Sequence, residues 1–337
     1  MLLKISPFVL AAVVLACPST ASAQGLENLG SRAPALGAFV AVADDASAVA
    51  WNPAGMVLGP LFNISIGFGR SSAVPDDPSI ETEVAKRLSA TLVAIGAPPV
   101  GLSYYRLGLQ VVDGAAASGD PRREDGQVIV RTMVTSHLGA TVLHSLGNFL
   151  TVGTTVKLVR GSVGSEVVRA DSWEAAFDHA DTLMTASSTT GDLDLGAMAA
   201  ARRWRAGLLV RNVTEPDFED ALGGKVELRR HARAGAAWGD RWPGASRMIV
   251  AFDADLTHVP HPDGDRRDVA AGIERWTMPQ QRLGLRGGVR ASTVGEARPV
   301  VSAGASYAIR SGTFVDAYFA AGVRQATAWG VAARLSY

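Results

Sequence analysis

Several residues in this chain are of types that do chemistry. Ser136 and His137 would pair as nucleophile and base. Adjacent residues of a strand point to opposite faces, however, so on a regular strand their side chains cannot meet. His258 and His261, with Asp263 and Asp265 close behind, are ligand types for a metal. Pro260, Pro262 and Gly264 interrupt them, which makes a solvated loop rather than the fixed element, backed by orienting partners, on which metal ligands depend. No Gly-x-Ser-x-Gly elbow and no phosphate-binding loop occurs. The sequence therefore gives no catalytic residue, no metal site and no cofactor site.

A third group is ordered differently. Arg282, Arg286 and Arg290 recur at even spacing, as do Asp253 and Asp255, and Arg205 and Arg211. Even spacing puts each set on one face of a strand. Such a ladder could guide an anionic head group. An enclosed charge needs a partner, though, and arginine suits two-pronged pairing with a carboxylate. Pairing among Arg211, Arg282, Arg286, Arg290, Asp253, Asp255, Glu274 and the acids Asp44 and Asp45 is the expectation.

The elements that position these charges follow from composition and pattern. Lys plus Arg number 32 and Asp plus Glu 32, so no basic face advertises nucleic-acid binding. Charged residues make up 19% and glycine is abundant at 36 residues, yet no apolar run reaches the roughly 18 residues of a membrane helix. Residues 1–23 read as a secretory signal peptide: Lys4, an apolar stretch from Ile5 to Ala16, and the small-residue site Ala21-Ser22-Ala23. Cys17, the single cysteine, lies within it.

After Pro60 the chain becomes about fourteen segments of period-two alternation divided by turn residues. They lie near 61–69, 87–95, 99–111, 127–143, 149–167, 190–201, 204–213, 227–238, 246–257, 267–277, 281–291, 299–309, 312–321 and 326–337. In 281–291, Leu283, Leu285 and Val289 oppose the three arginines; in the last segment Val331 and Leu335 oppose Arg334. A soluble sandwich turns such an apolar face inward, and a membrane barrel turns it out. Connection lengths favour the barrel. Those near 70–86, 112–126, 168–189, 214–226, 258–266, 292–298 and 322–325 are mostly long and polar, whereas the intervening ones are tight, the asymmetry of a transmembrane barrel. Trp204, Trp238, Trp242, Trp276 and Tyr337 fall at the short-turn ends, where amphipathic rings form an interfacial girdle. Within 171–187, Trp173, Ala176, Phe177 and Ala180 share helical spacing and predict a small helix on the rim.

Residues 24–60 are not strand-like. They are rich in small residues and carry Asp44-Asp45 and the turn former Asn52-Pro53. Gly30-Ser31-Arg32-Ala33, the run Leu36-Gly37-Ala38-Phe39-Val40-Ala41-Val42-Ala43-Asp44-Asp45-Ala46-Ser47-Ala48, and Trp51-Asn52-Pro53-Ala54-Gly55 together resemble the amino-terminal hatch of the FadL/TodX outer-membrane superfamily, especially its PorV-type branch. Looser echoes are Asp192–Gly196, Arg211-Asn212-Val213, Ala251–Thr257 and Arg282–Gly288.

The resemblance implies an all-β protein: a transmembrane antiparallel barrel of about fourteen strands over 61–337, with a hatch over 24–60 in its lumen. It implies the outer membrane of a Gram-negative bacterium, outer-membrane lipid around the barrel, and Tyr337 as the signal read by the barrel assembly machinery. Asp44, Asp45, Asn52, Pro53 and Ala54 become hatch and gating residues. Two functions follow. One is non-catalytic uptake of small hydrophobic molecules, fatty-acid-like or otherwise apolar, through a hatch shift and a lateral break in the wall. The alternative is a PorV-like scaffold whose partners are secreted or surface-assembled proteins. The loops near 70–86 and 168–189 are charged, with few apolar anchors, unlike a greasy capture groove.

Overall fold

The computed structural model describes residues 28–75, 84–114, 127–219, 225–239, 248–261, 264–277, 282–323 and 325–337. The signal segment, Trp242 and Asp263 lie outside them. Strand-length alternation yields β1 (Asn63–Ala73), β2 (Val84–Ala97), β3 (Val100–Asp113), β4 (Gln127–Leu146), β5 (Leu150–Arg169), β6 (Ala186–Ala201) and β7 (Trp204–Arg211). A small hairpin follows, β8 (Asp217–Glu219) and β9 (Lys225–Glu227). The series resumes with β10 (His231–Gly239), β11 (Met248–Asp255), β12 (Asp268–Thr277), β13 (Leu283–Ser292), β14 (Val300–Arg310), β15 (Thr313–Gly322) and β16 (Thr327–Ser336).

All of these except β8 and β9 form one closed barrel in which sequence neighbours pair antiparallel and β1 closes on β16. Closure removes the sheet edges whose unpaired backbone groups hydrocarbon cannot satisfy. Pairing registers bind every strand of the barrel to both neighbours, with one irregularity between Ala308 and Arg310. The expected lateral break is therefore not present in this state: the wall is continuous among the described residues.

The apolar face points out. Leu285 is 49% and Val331 47% exposed, while Arg286 and Arg334 opposite them are buried. Trp204 and Trp238 pair across β7 and β10 and are both exposed, with Tyr337 at the same end. Trp276 corrects the girdle expectation. Its position in β12 has the inward parity, and it is buried against Phe314 with its indole N–H donating to Glu274.

Strands β4 and β5 have 20 residues each, about 65 Å of extended chain, well beyond the roughly 30 Å hydrocarbon core even when tilted. Their long-loop ends are covered on both faces. Outside lies the predicted helix, α3 (Trp173–Thr182), whose Ala176, Phe177 and Ala180 pack on Val112, Val128 and Val130. Inside, Phe218 and Leu228 of the β8–β9 loop pack on Leu109, Met133, Val159 and Val163.

Candidate functional site

The lumen is occupied by residues 28–60. Arg32–Leu36 forms a short helix, α1, and Ala48–Trp51 another, α2; a 3₁₀ turn spans Pro53–Leu58. Small side chains let this segment approach the wall closely. Leu36 O lies where a Cβ on either of the paired glycines Gly272 and Gly288 would collide, at 2.0 and 2.3 Å. On the other side the paired glycines Gly153 and Gly196 accept Asn52-Pro53-Ala54; a Cβ on Gly196 would sit 2.3 Å from Asn52 Oδ1.

Asn52 is more than a turn former. Its Oδ1 accepts from Ala54 N, capping the 3₁₀ turn, and its Nδ2 donates to Val40 O at 3.0 Å and to Ala197 O at 3.1 Å. One amide thus joins two parts of the inner segment to β6. Pro53 supplies the first position of that turn, where no N–H is needed.

The charged half of the segment enters a buried ion network. Arg32 Nε and Nη2 grip Glu274 at 2.7 and 3.0 Å, and its Nη1 meets Asp44 at 2.5 Å and Asp45 at 3.4 Å. Burial alone would lower the Arg32 pKa, but Asp44, Glu274 and Asp45 raise it well above the ordinary arginine value. From the wall, Arg205 reaches Asp44 at 2.9 Å and Arg334 reaches Asp45 at 3.8 Å. Arg286 binds Glu274 at 2.6 Å and approaches Asp316 at 3.9 Å, which Arg334 also contacts at 3.2 Å. The arginines Arg32, Arg205, Arg286 and Arg334 balance the carboxylates Asp44, Asp45, Glu274 and Asp316. Such balance is what makes burial of so many charges tolerable.

The other charges singled out by alternation lie nearby. Asp253 accepts from the backbone N–H groups of Phe39 and Val40 at 2.7 and 3.0 Å. Arg211 donates to Ala50 O, near the end of α2. Asp255 is bonded to His231 at 2.7 Å and Arg233 at 2.5 Å, and Arg290 stands 3.5 Å from Asp268. Arg282 is a correction: it precedes β13 at the short-turn rim and is exposed, so it does not belong to the buried set.

Sequence reasoning passed over Arg32, Lys157 and Arg205 as partners. Lys157 sits between Asp192 at 2.9 Å and Asp194 at 2.7 Å; its position among Thr155 and Val159 on the inward face of β5 was the available signal. Ser136 and His137 do face opposite ways: His137 is buried against Tyr105, ring centroids 4.3 Å apart, while Ser136 has the outward parity. His258 is exposed, and His261 instead lines a cavity.

That cavity, about 460 Å³, lies at the long-loop end between the inner segment and β1, β2 and β13–β16. Its wall is apolar at Pro34, Leu88, Val300, Ala320 and Ala328, and cationic at Lys86, Arg266, Arg290 and Arg298; its described lining includes no carboxylate. Tyr318 also lines it, and the buried Tyr318 hydroxyl has no hydrogen-bond partner among the described residues. A second cavity of about 40 Å³ shares His261 and Arg266 with the first and reaches Trp51 and Arg211.

Closed wall, outward grease, enclosed charge and a folded inner segment define a fourteen-stranded transmembrane β-barrel with an occupied lumen. Solved structures share this fold. The CymD monoaromatic hydrocarbon channel superposes with a TM-score of 0.63 at 13% identity, covering 94% of this chain and 99% of that one. The Ralstonia pickettii toluene transporter TbuX gives 0.61 at 14% identity, covering 93% and 99%. A Pseudomonas aeruginosa FadL homologue gives 0.57 at 10% identity, covering 92% and 98%. No curated protein sequence matches the chain. A family model described as "F plasmid transfer operon, TraF, protein" matches residues 84–255, half of the chain, and the chain belongs to that family. The narrower likeness to the PorV-type branch rests on the 30–55 motif.

Proposed function

We propose that this barrel passes small hydrophobic molecules across the outer membrane without chemistry, and that its preferred cargo is apolar with an anionic head, as a fatty acid is. The observation that carries this is the cavity of about 460 Å³ at the long-loop end, within the usual range of small-molecule sites, roughly 300–1,000 Å³. The cargo's chain lies on Pro34, Leu88 and Val300; its head lies by Arg266 and Arg290, with the Tyr318 hydroxyl free to donate. Toluene and hydrocarbon passage by the solved barrels TbuX and CymD supports the apolar half of this reading.

In this reading residues 24–60 act as a hatch, and the chain reaches the membrane through its signal segment and the barrel assembly machinery, to which Tyr337 is presented. Because the wall is continuous, cargo leaves the first cavity past the hatch, through the space beside His261 and Arg266, rather than through the side. Asn52, Pro53 and Ala54 are where the hatch yields. The stretch 46–60 carries no charge, so moving it breaks hydrogen bonds and apolar contacts but no ion pair of its own.

The test is binding of a medium-chain carboxylate, and of the alcohol of equal length, to the detergent-solubilised barrel by calorimetry. The carboxylate should bind more tightly. The Tyr318→Phe change should weaken it by about three- to tenfold, the net worth of one hydrogen bond. Binding of neither compound would reject transport and leave the protein-docking scaffold as the better reading.

A further inference from the structure

The two ends of the barrel differ in charge: the long-loop end mixes both signs and the short-turn end is basic. At the long-loop end, acids crowd α3 (Asp171, Glu174, Asp178, Asp181), and the acids of the β8–β9 region (Glu215, Asp217, Glu219, Glu227) are paired with Lys225, Arg229 and Arg230. At the other end the described short connections, 98–99, 147–149, 202–203, 282 and 311–312, hold Arg202, Arg203 and Arg282 and no Asp or Glu. In sequence the remaining one, 240–247, adds Arg241 and Arg247 against Asp240.

This basic rim coincides with the aromatic girdle. Trp204 and Trp238 stand side by side on the outward face of β7 and β10. The Arg203 guanidinium lies 5.8 Å from the Trp238 ring centroid. Arg275, also exposed, is on the lipid-facing side of β12, in register with Met248 of β11 and flanked along its own strand by exposed Ile273. No carboxylate of the described residues pairs with Arg202 or Arg275. Arg203 precedes β7, three strand spacings or about 14 Å from β12, and its guanidinium reaches over Trp238 of β10, two spacings from Arg275. Paired tryptophans fix the depth at the membrane interface, and an arginine among lipid-facing apolar side chains directs its charge to the head groups.

We infer that the short-turn rim from β6 to β12, comprising Arg202, Arg203, Trp204, Trp238 and Arg275, is a binding site for the anionic head groups of phospholipids in the leaflet it meets. The phosphate lies between the arginines and the glycerol backbone rests on the indoles. The site anchors the barrel at the end where its wall meets the amino-terminal segment. It does not depend on what passes through the lumen.

The experiment reconstitutes the full barrel in phosphatidylcholine bilayers and measures the relative association of spin-labelled phosphatidylglycerol and phosphatidylcholine. The expected preference for phosphatidylglycerol is about fivefold, the worth of one well-placed arginine at an anionic surface, and it should fall in 1 M salt as screening shortens to about 3 Å. It should vanish in the Arg202→Gln, Arg203→Gln, Arg275→Gln triple variant and survive in an Arg229→Gln, Arg230→Gln control at the opposite end. If the triple variant does not fold, Arg275→Gln alone should lose a measurable part of the preference. Equal association of the two lipids with the unaltered barrel overturns the inference. So does a preference that persists in the triple variant or that disappears in the control.

Discussion

The two halves of the inner segment are held by different physics. Arg32 to Asp45 is tied into the wall by ion pairs to β7, β12 and β16. Ala46 to Pro60 has no charge and is held by Asn52, by the Arg211 bond to Ala50 O, and by apolar contact of Val49 and Met56 with the glycines of β2 and β3. Breaking one member of a balanced buried network strands the charges that remain. Losing a neutral contact costs far less. The comparison teaches that charge distribution alone can bind one end of an internal segment more strongly than the other.

The largest expected effect comes from the charged half. Arg32→Ala removes the one cation shared by Asp44, Asp45 and Glu274 and should cost about 3–5 kcal/mol, the usual penalty for unpairing buried charge. Heat-modifiable gel mobility would show it as a much lower unfolding temperature; an unchanged midpoint would mean that the network is not an anchor. Next is Gly196→Val, whose side chain meets Asn52-Pro53. Overpacking typically costs about 1–3 kcal/mol, and here the neutral half should yield instead, so that the barrel stays folded and its conductance in planar bilayers rises. A folded variant with unaltered conductance would place the moving part elsewhere. The smallest is Asn52→Ala, which removes the neutral bonds to Val40 O and Ala197 O, worth about 0.5–1.5 kcal/mol each; conductance should rise while the barrel loses clearly less stability than in Arg32→Ala. If Asn52→Ala destabilised the barrel as much as Arg32→Ala, the distinction between the halves would fail.

The barrel itself was readable residue by residue. Leu283, Leu285 and Val289 alternate with Arg282, Arg286 and Arg290, and that pattern needs only the two-residue repeat of an extended chain. The helix at 173–182 was legible for the same reason, from the spacing of Ala176, Phe177 and Ala180. Trp276 and Arg282 were misplaced because position along a strand says how near a rim a residue lies, whereas parity and the strand's true end decide which way it faces and whether it is covered. The β8–β9 hairpin has strands of three residues, too short for a periodic signal, so its inward fold onto Gly161 and Val159 left no trace in the pattern. The cavity was not legible at all. Its lining comes from the inner segment, six strands and four loops, and no local rule joins them.

The sequence alone therefore determined the strands, their greasy and charged faces and the non-strand character of residues 28–60, because each of these is written in contacts between near neighbours. The tertiary structure alone decided which charge meets which. Arg32 and Glu274 lie 242 residues apart, and closing a sheet fixes strand stagger and tilt for the whole ring at once. Only that global register sets Arg205, Arg286 and Arg334 around Asp44, Asp45 and Glu274, and leaves the space above them unfilled.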